Sequence, residues 1–270
     1  MEDKFEVELI ERVDAGDNRV TLYFNIPDGF TWEPSAHISL ALKGYDENGE
    51  LNKEYIRKFS VNTLMSEGKI GITTRLDSSD SKYKKLVGAM CLGEKCTIIE
   101  SGCRLPIRRE DKDIVLLSMG VGMSTMRPLI NSMLENLDGI KSVTNISVNK
   151  SDNFLYKDEM TAADHVLCNS IYCHHRTDLK QTIEDICRDT KDKIFYIVGS
   201  KEFVQNMIII LKDNGVEKEN IMIDKKPGII DGLYAGLDYS DIKNTMKSAN
   251  FRKIELPSNK CDCNGNCTCK

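Results

Sequence analysis

No stretch of the 270-residue sequence is long and apolar enough to cross a bilayer as a helix, so a helical membrane protein is not expected. Positive charge is also short. Against 42 Asp and Glu stand 37 Lys and Arg, a formal charge of −5, which leaves no broad basic field for nucleic acid. No internal repeat is present, which sets aside solenoids and propellers. The opening MEDKFEVELIERV lacks the basic and apolar regions of a secretory signal, and a cytoplasmic location is the expectation. Ten cysteines would suggest disulfides in a small secreted domain, but six of them are scattered singly through strand-like or helix-like segments and read as reduced and structural.

What is present suffices for an ordinary core, with 40% hydrophobic and 29% charged residues, and the length suits two domains and a short tail. In residues 1–108, FEVELIERV, RVTLYFNI, HISLALKGY, EYIRKFSVNTL, GKIGITTRL and KCTIIES are rich in β-branched and aromatic residues and separated by turn formers. They predict a six-stranded antiparallel barrel. SKYKKLVGAM, with Tyr83, Leu86 and Val87 at helical spacing, predicts one helix before the last strand.

After the charged RREDKD the pattern changes. DIVLLSMG is a continuous apolar run, as a strand buried on both faces requires, and it opens a second domain near Arg108 to Asp111. Strands at VTNISVN, VLCNSIYC, KIFYIVG and NIMID alternate with helices over 124–137, 155–165, 179–189 and 201–215, which predicts a parallel sheet with right-handed crossovers. Beyond Pro227, GLDYSDIKNTMKSA looks helical and FRKIELP strand-like, with no role readable from either.

Gly120-Val-Gly122 follows the buried strand and opens an amphipathic helix. Such a turn either serves packing or lets a pyrophosphate approach backbone amides at a helix N-terminus. A third glycine, needed for the full dinucleotide fingerprint, is absent. Gly199-Ser200 ends a later strand, and two glycine-bearing strand ends in one parallel sheet suggest a shared crevice. In the first domain, Arg57-Lys58-Phe59-Ser60 puts Arg57 and Phe59 on one face of a strand and Lys58 and Ser60 on the other. The set suits a phosphate and a flat ring system, and equally describes a solvated strand.

In order and spacing these segments resemble the ferredoxin-NADP reductase superfamily over nearly all of residues 5–224. Arg57 to Ser60 is similar to the family's Arg-x-Tyr/Phe-Ser/Thr flavin motif, and Trp32-Glu-Pro34-Ser-Ala-His37 to the Pro-Gly-Gln strand entry before it. Ser81-Lys-Tyr-Lys-Lys-Leu86 resembles the segment that holds the flavin diphosphate, and Gly120 to Pro128 the nucleotide loop. Leu155-Tyr156-Lys-Asp-Glu159 is similar to the Leu-Tyr-x-x-Glu helix entry. Three departures stand out: Ser35 replaces the glycine of Pro-Gly-Gln, Ser78-Ser79-Asp80 the glycine before the diphosphate serine, and Val198-Gly199-Ser200 the Cys-Gly-Pro segment.

The resemblance implies a flavin-binding barrel at 1–108 and a Rossmann-like nucleotide-binding domain at 109–226, leaving 227–259 as an extension and 260–270 as a tail. FAD and NADH or NADPH would be the cofactors. Arg57, Lys58, Phe59, Ser60, Thr74 and Ser81 would hold flavin, Gly120, Gly122, Met123, Gly199 and Ser200 the nucleotide, and Ser124 would stand at the hydride path. Arg176, or Lys150, would meet the adenosine ribose or its phosphate, unless both are surface charges. Tyr234 and Tyr239 are candidates for the aromatic that covers the flavin in the family. The implied activity is hydride transfer between NAD(P)H and FAD, with electrons passed to an iron-sulfur protein or partner subunit. The alternative is a regulatory or assembly subunit that binds flavin or metal without turnover.

Cys261, Cys263, Cys267 and Cys269 crowd a segment whose Asn-Gly-Asn centre can turn. Their thiolates suit zinc or copper(I), an iron-sulfur cluster, redox-active dithiols, or no ligand at all. The plant-type cluster spacing is absent. His174 and His175 beside Cys173 are adjacent on a strand, point to opposite faces, and make a poor metal pair.

Overall fold

The computed structural model describes residues 4–46, 49–76, 81–164, 167–188 and 192–235. Alternation drives the first half of the chain into strands: in β1 (Phe5–Asp14), Val7 and Leu9 are buried while Glu6, Glu8 and Ile10 face out. β2 (Arg19–Phe24), β3 (His37–Ala41), β4 (Ile56–Ser60), β5 (Ile70–Arg75) and β6 (Lys95–Gly102) complete a six-stranded sheet of order β4-β3-β6-β1-β2-β5. Every pairing in it is antiparallel. An isolated bridge between Val61 and Ile72 draws its two edges together, so the sheet curls around a core that includes Leu9, Leu22, Phe24, Ile38, Leu40, Ile72 and Ile98. The expected helix before β6 is α1 (Lys82–Ala89), which inserts Tyr83 and Val87 into that core.

The second half is a parallel sheet of five strands. These are β7 (Lys112–Met119), β8 (Ile140–Val148), β9 (Cys168–Cys173), β10 (Lys193–Val198) and β11 (Ile221–Ile223), in the order β11-β10-β7-β8-β9. The apolar run of β7 is central, and Ile114 to Leu117 are at most 2% exposed. α2 (Met123–Glu135), α3 (Lys157–Ala162), α4 (Arg176–Ile186) and α5 (Lys201–Asp213) cover the faces. The chain winds outward from β7 through β8 to β9, then returns to place β10 on the other side. The direction of winding therefore reverses between β7 and β10, where the strands' carboxyl ends diverge into a crevice.

The segment after β11, with no readable role, begins with α6 (Pro227–Ala235), where proline occupies the first helical position. α6 buries Leu233 against the cluster that includes Met207, Ile210 and Leu211 of α5. The expected helix at GLDYSDIKNTMKSA, the strand at FRKIELP, Tyr239 and the four tail cysteines lie outside the described residues. So do Ser78, Ser79 and Asp80.

Candidate functional site

The barrel wall of the site is β4. Arg57 places its guanidinium carbon 5.5 Å from the Tyr83 ring centroid, and the Phe59 and Tyr83 rings stand 5.8 Å apart. Arg57 and Phe59 thus share a face, as alternation requires. Tyr83 is itself fixed, donating to the Leu40 carbonyl at 3.0 Å, and its burial keeps the phenol neutral. On the opposite side Lys58 pairs with Glu100 at 2.6 Å, and that hydrogen bond holds the Glu100 carboxyl below the usual range. Ser60 accepts a hydrogen bond from Thr125 of α2 at 2.7 Å, so the strand touches the second lobe directly. Ser35 keeps a left-handed φ of 67° and donates to the Leu105 carbonyl at 2.8 Å. The residue departs from glycine while the backbone conformation that favours glycine is retained.

The facing wall is the turn between β7 and α2. Gly120 has φ 57°, and a β-carbon there would meet nothing within 4 Å, so the turn opens onto free space. Gly122 answers to packing: a β-carbon would fall 2.5 Å from the Val198 carbonyl oxygen at the end of β10. Gly199 is similar, with the Phe203 ring 2.5 Å from where its β-carbon would be, and Ser200 caps α5 by accepting from the Phe203 amide at 3.2 Å. Met123 is buried in the core beneath the turn, with its sulfur 3.6 Å from Ser118 Oγ. Ser124 Oγ is sealed beside the Tyr156 hydroxyl without a well-formed hydrogen bond.

Between these walls lies a cleft of about 1000 Å³, at the top of the range for small-molecule sites. Arg57, Lys58, Arg75, Lys84, Lys150 and Lys225 line it, against the acids Asp17 and Asp224, in a chain of net charge −5. A local excess of positive charge on a negative protein fits a phosphate-bearing ligand. Phe59 and Tyr83 add aromatic surface, Thr74 lies on the wall, and Gly120, Gly122, Ser124, Gly199 and Ser200 complete the lining. An extended dinucleotide fits this donor set. Ser81 stands immediately before α1 as its N-cap. Arg176 opens α4 just beyond β9, and its side chain lies outside the described atoms. Tyr234 is not a cover for this cleft: its ring packs between Lys212 and Lys218, 5.8 and 4.8 Å from their ammonium nitrogens, on the α5 side of the sheet.

Residues that sequence reasoning did not assign a role join the two walls. Arg127 of α2 forks onto both oxygens of Glu67 at 2.8 and 2.9 Å, donates to Glu159 at 2.7 Å, and donates to the Asn62 carbonyl at 2.6 Å. Burial opposes its charge, but the bonds to Glu67 and Glu159 outweigh burial and raise its pKa. Tyr156, in a left-handed conformation with φ 58°, shares hydrogen bonds of 2.8 Å with Asn62 Nδ2 and Thr73 Oγ1. A similar join lies on the far side, where the wholly buried Arg19 donates to the Asn153 carbonyl at 2.6 Å. Arg127, Tyr156 and Glu159 all stood inside motifs noted from the sequence, so their positions were visible even though their partners were not.

No protein-family model and no curated protein matches the chain. Solved structures do match. A ferredoxin NADP+ reductase from Neisseria gonorrhoeae, with bound FAD and NADP, agrees with a TM-score of 0.70 at 16% identity, over 82% of this chain and 98% of that one. The chain has the ferredoxin-NADP reductase fold. The cytochrome b5 reductase domain of Ulva prolifera nitrate reductase shares that fold, at TM-score 0.65 and 14% identity over 82% of this chain and 97% of that domain. Phthalate dioxygenase reductase, described as modular for electron transfer from pyridine nucleotides to [2Fe-2S], matches at TM-score 0.63 and 13% identity, over 82% of this chain and 67% of that one. The resemblance read from the motifs is borne out at the level of fold. Among the described residues no group of three or more His, Cys, Asp or Glu is arranged to hold a metal, and no helix is long and apolar enough to cross a membrane.

Proposed function

We propose that this chain is a flavoprotein oxidoreductase that transfers hydride between NAD(P)H and FAD and passes the electrons to an iron-sulfur protein or partner subunit. The observation that carries the reading is the single basic cleft onto which β4 and the Gly120–Gly122 turn both open. When bound, FAD supplies the two-electron chemistry of its ring system, which no side chain here provides. Arg57, fixed by its own bonds to the Lys53 and Ile56 carbonyls, would hold a diphosphate, and Phe59 and Tyr83 would flank a ring. Ser60 would orient the ring edge. The open face of Gly120 and the N-terminus of α2 would receive the nucleotide's pyrophosphate. Ser124, buried at the first turn of α2 and lining the cleft, would lie near where the two ring systems meet. Arg176 or Lys150 would meet the adenosine end.

The test is an anaerobic visible spectrum of the purified protein, before and after NADH and then NADPH. Flavin bands that one nucleotide bleaches support the reading and identify the donor. A yellow protein that neither nucleotide bleaches favours binding without turnover. A protein that stays colourless after incubation with FAD overturns both.

A further inference from the structure

Ser60 and Ser124 stand on different lobes, so the distance across the proposed hydride path depends on whatever fixes one lobe against the other. Each lobe has its own core, one built around Leu22, Ile38 and Ile98 and the other around Leu116, Met126 and Ile130. The join between them is largely polar.

We propose that Arg127 is a positioning residue for hydride transfer, its bridge to Glu67 and the Asn62 carbonyl, braced by Glu159 of its own lobe, setting the separation of the flavin-side strand and the nucleotide-side turn. This rests on the reading of the chain as a flavin reductase. Several observations converge on it. Arg127 lies one helical turn beyond Ser124 on α2, so a displacement of one moves the other. Pro128 follows inside α2 and has no N–H to give the Ser124 carbonyl, which removes a backbone bond from that turn. The side-chain bridge stiffens the helix where the backbone does not.

On the barrel side, the partners are not free to follow Arg127. Glu67 Oε1 also accepts from the Leu64 amide at 2.6 Å, which locks the turn that carries it. Asn62 Nδ2 donates to Thr73 at 2.9 Å as well as to Tyr156, and Thr73 in turn meets Thr21 at 2.8 Å. Glu159, on α3 of the same lobe as Arg127, also accepts from Asn131 at 2.9 Å and so braces the guanidinium from behind. The Arg127 side chain is only 13% exposed, so water cannot substitute for these bonds. The planar fork of arginine matches the Glu67 carboxylate at both oxygens, which a lysine cannot do.

The experiment uses the full chain loaded with FAD and measures single-turnover flavin reduction by the nucleotide that bleaches the wild type. Arg127→Met is expected to slow the reduction step about 100-fold, the scale of a misplacement of about 1 Å, while the half-saturating nucleotide concentration and FAD content stay unchanged. Arg127→Lys, which keeps the charge and loses the fork, falls between. Reduction at the wild-type rate, or an effect confined to nucleotide affinity, overturns the proposal. Glu67→Gln, which keeps one oxygen for the Leu64 amide and loses one arm of the fork to Arg127, supplies the same comparison if the methionine variant does not fold. Hydrogen exchange of the protein without nucleotide separates this inference from the activity itself. Faster exchange over residues 60–67 in the variant, with β7 and β10 still protected, supports the bridge even if the wild type proves inactive; unchanged exchange overturns it.

Discussion

A β-carbon on Gly71 would fall 2.0 Å from the Asn62 side-chain oxygen, so the glycine near the start of β5 exists to let that amide pass. Asn62 is 1% exposed and ties Thr73 to Tyr156 across the two lobes. Gly71→Ala must expel the amide or spread the strands, and leaves the buried Tyr156 and Thr73 hydroxyls short of a donor. The expected loss is about 2–3 kcal/mol, read as a lower urea midpoint at unchanged slope. A wild-type midpoint contradicts the packing described.

The two glycines of the turn between β7 and α2 answer to different physics and should respond differently. Gly122→Ala drives a methyl into the Val198 carbonyl and should cost about 1–3 kcal/mol of stability. Gly120→Ala meets open space and carries only the left-handed strain at φ 57°, roughly 1 kcal/mol. Gly120→Ala should nevertheless weaken nucleotide binding, because its methyl would project into the cleft. Calorimetric nucleotide titration beside urea unfolding separates the two, and a greater stability loss at Gly120 would reverse the assignment.

His37 makes stability depend on pH. Burial first, then the charges of Arg104 and Lys58, hold its imidazole below the ordinary 6.5, with Asp224 and Glu100 opposing. The native imidazole refuses a proton that the unfolded chain accepts, so stability declines as pH falls below about 6.5 and is unaffected above it. His37→Gln should flatten the change in urea midpoint between about pH 7.5 and about pH 5. Asp17 and Glu100, both held below their ordinary values, lose their contributions only at more acidic pH, so the windows are distinct. Equal slopes in the two proteins would remove His37 as the cause.

Much of the fold was legible because its signals are local. The alternation of Val7 and Leu9 with Glu6 and Glu8 marks a half-buried strand by itself, and the unbroken run in β7 marks one covered on both faces. The β4 motif was legible for the same reason, since Arg57 and Phe59 lie two residues apart. Arg127 was not, because its partners Asn62, Glu67 and Glu159 are distant in sequence and only the packing of α2 against the barrel and against α3 brings them together. Gly122 and Gly199 carry a second constraint that spacing did not show: each lines the cleft and also makes room for a neighbouring strand or ring. α6 was missed because its apolar residues have meaning only against α5.

Cysteine reactivity tests the burial directly. Burial pushes the Cys96 thiol up to about 12 and the Cys168 and Cys187 thiols up to about 11, and raises Cys173 as well, whereas Cys91 is exposed. The thiolate is the nucleophile, so at about pH 8 these four buried groups are both covered and almost wholly protonated. Iodoacetamide added to the native protein should therefore alkylate Cys91 rapidly and leave Cys96, Cys168, Cys173 and Cys187 unmodified until urea is added, as read from peptide masses. Cys96 lies in the barrel core and the other three in the second lobe, so the labelling pattern tests each core separately. Native labelling of Cys96 at the rate of Cys91 would mean that the barrel opens readily, and with it the wall on which Arg57 and Phe59 are held.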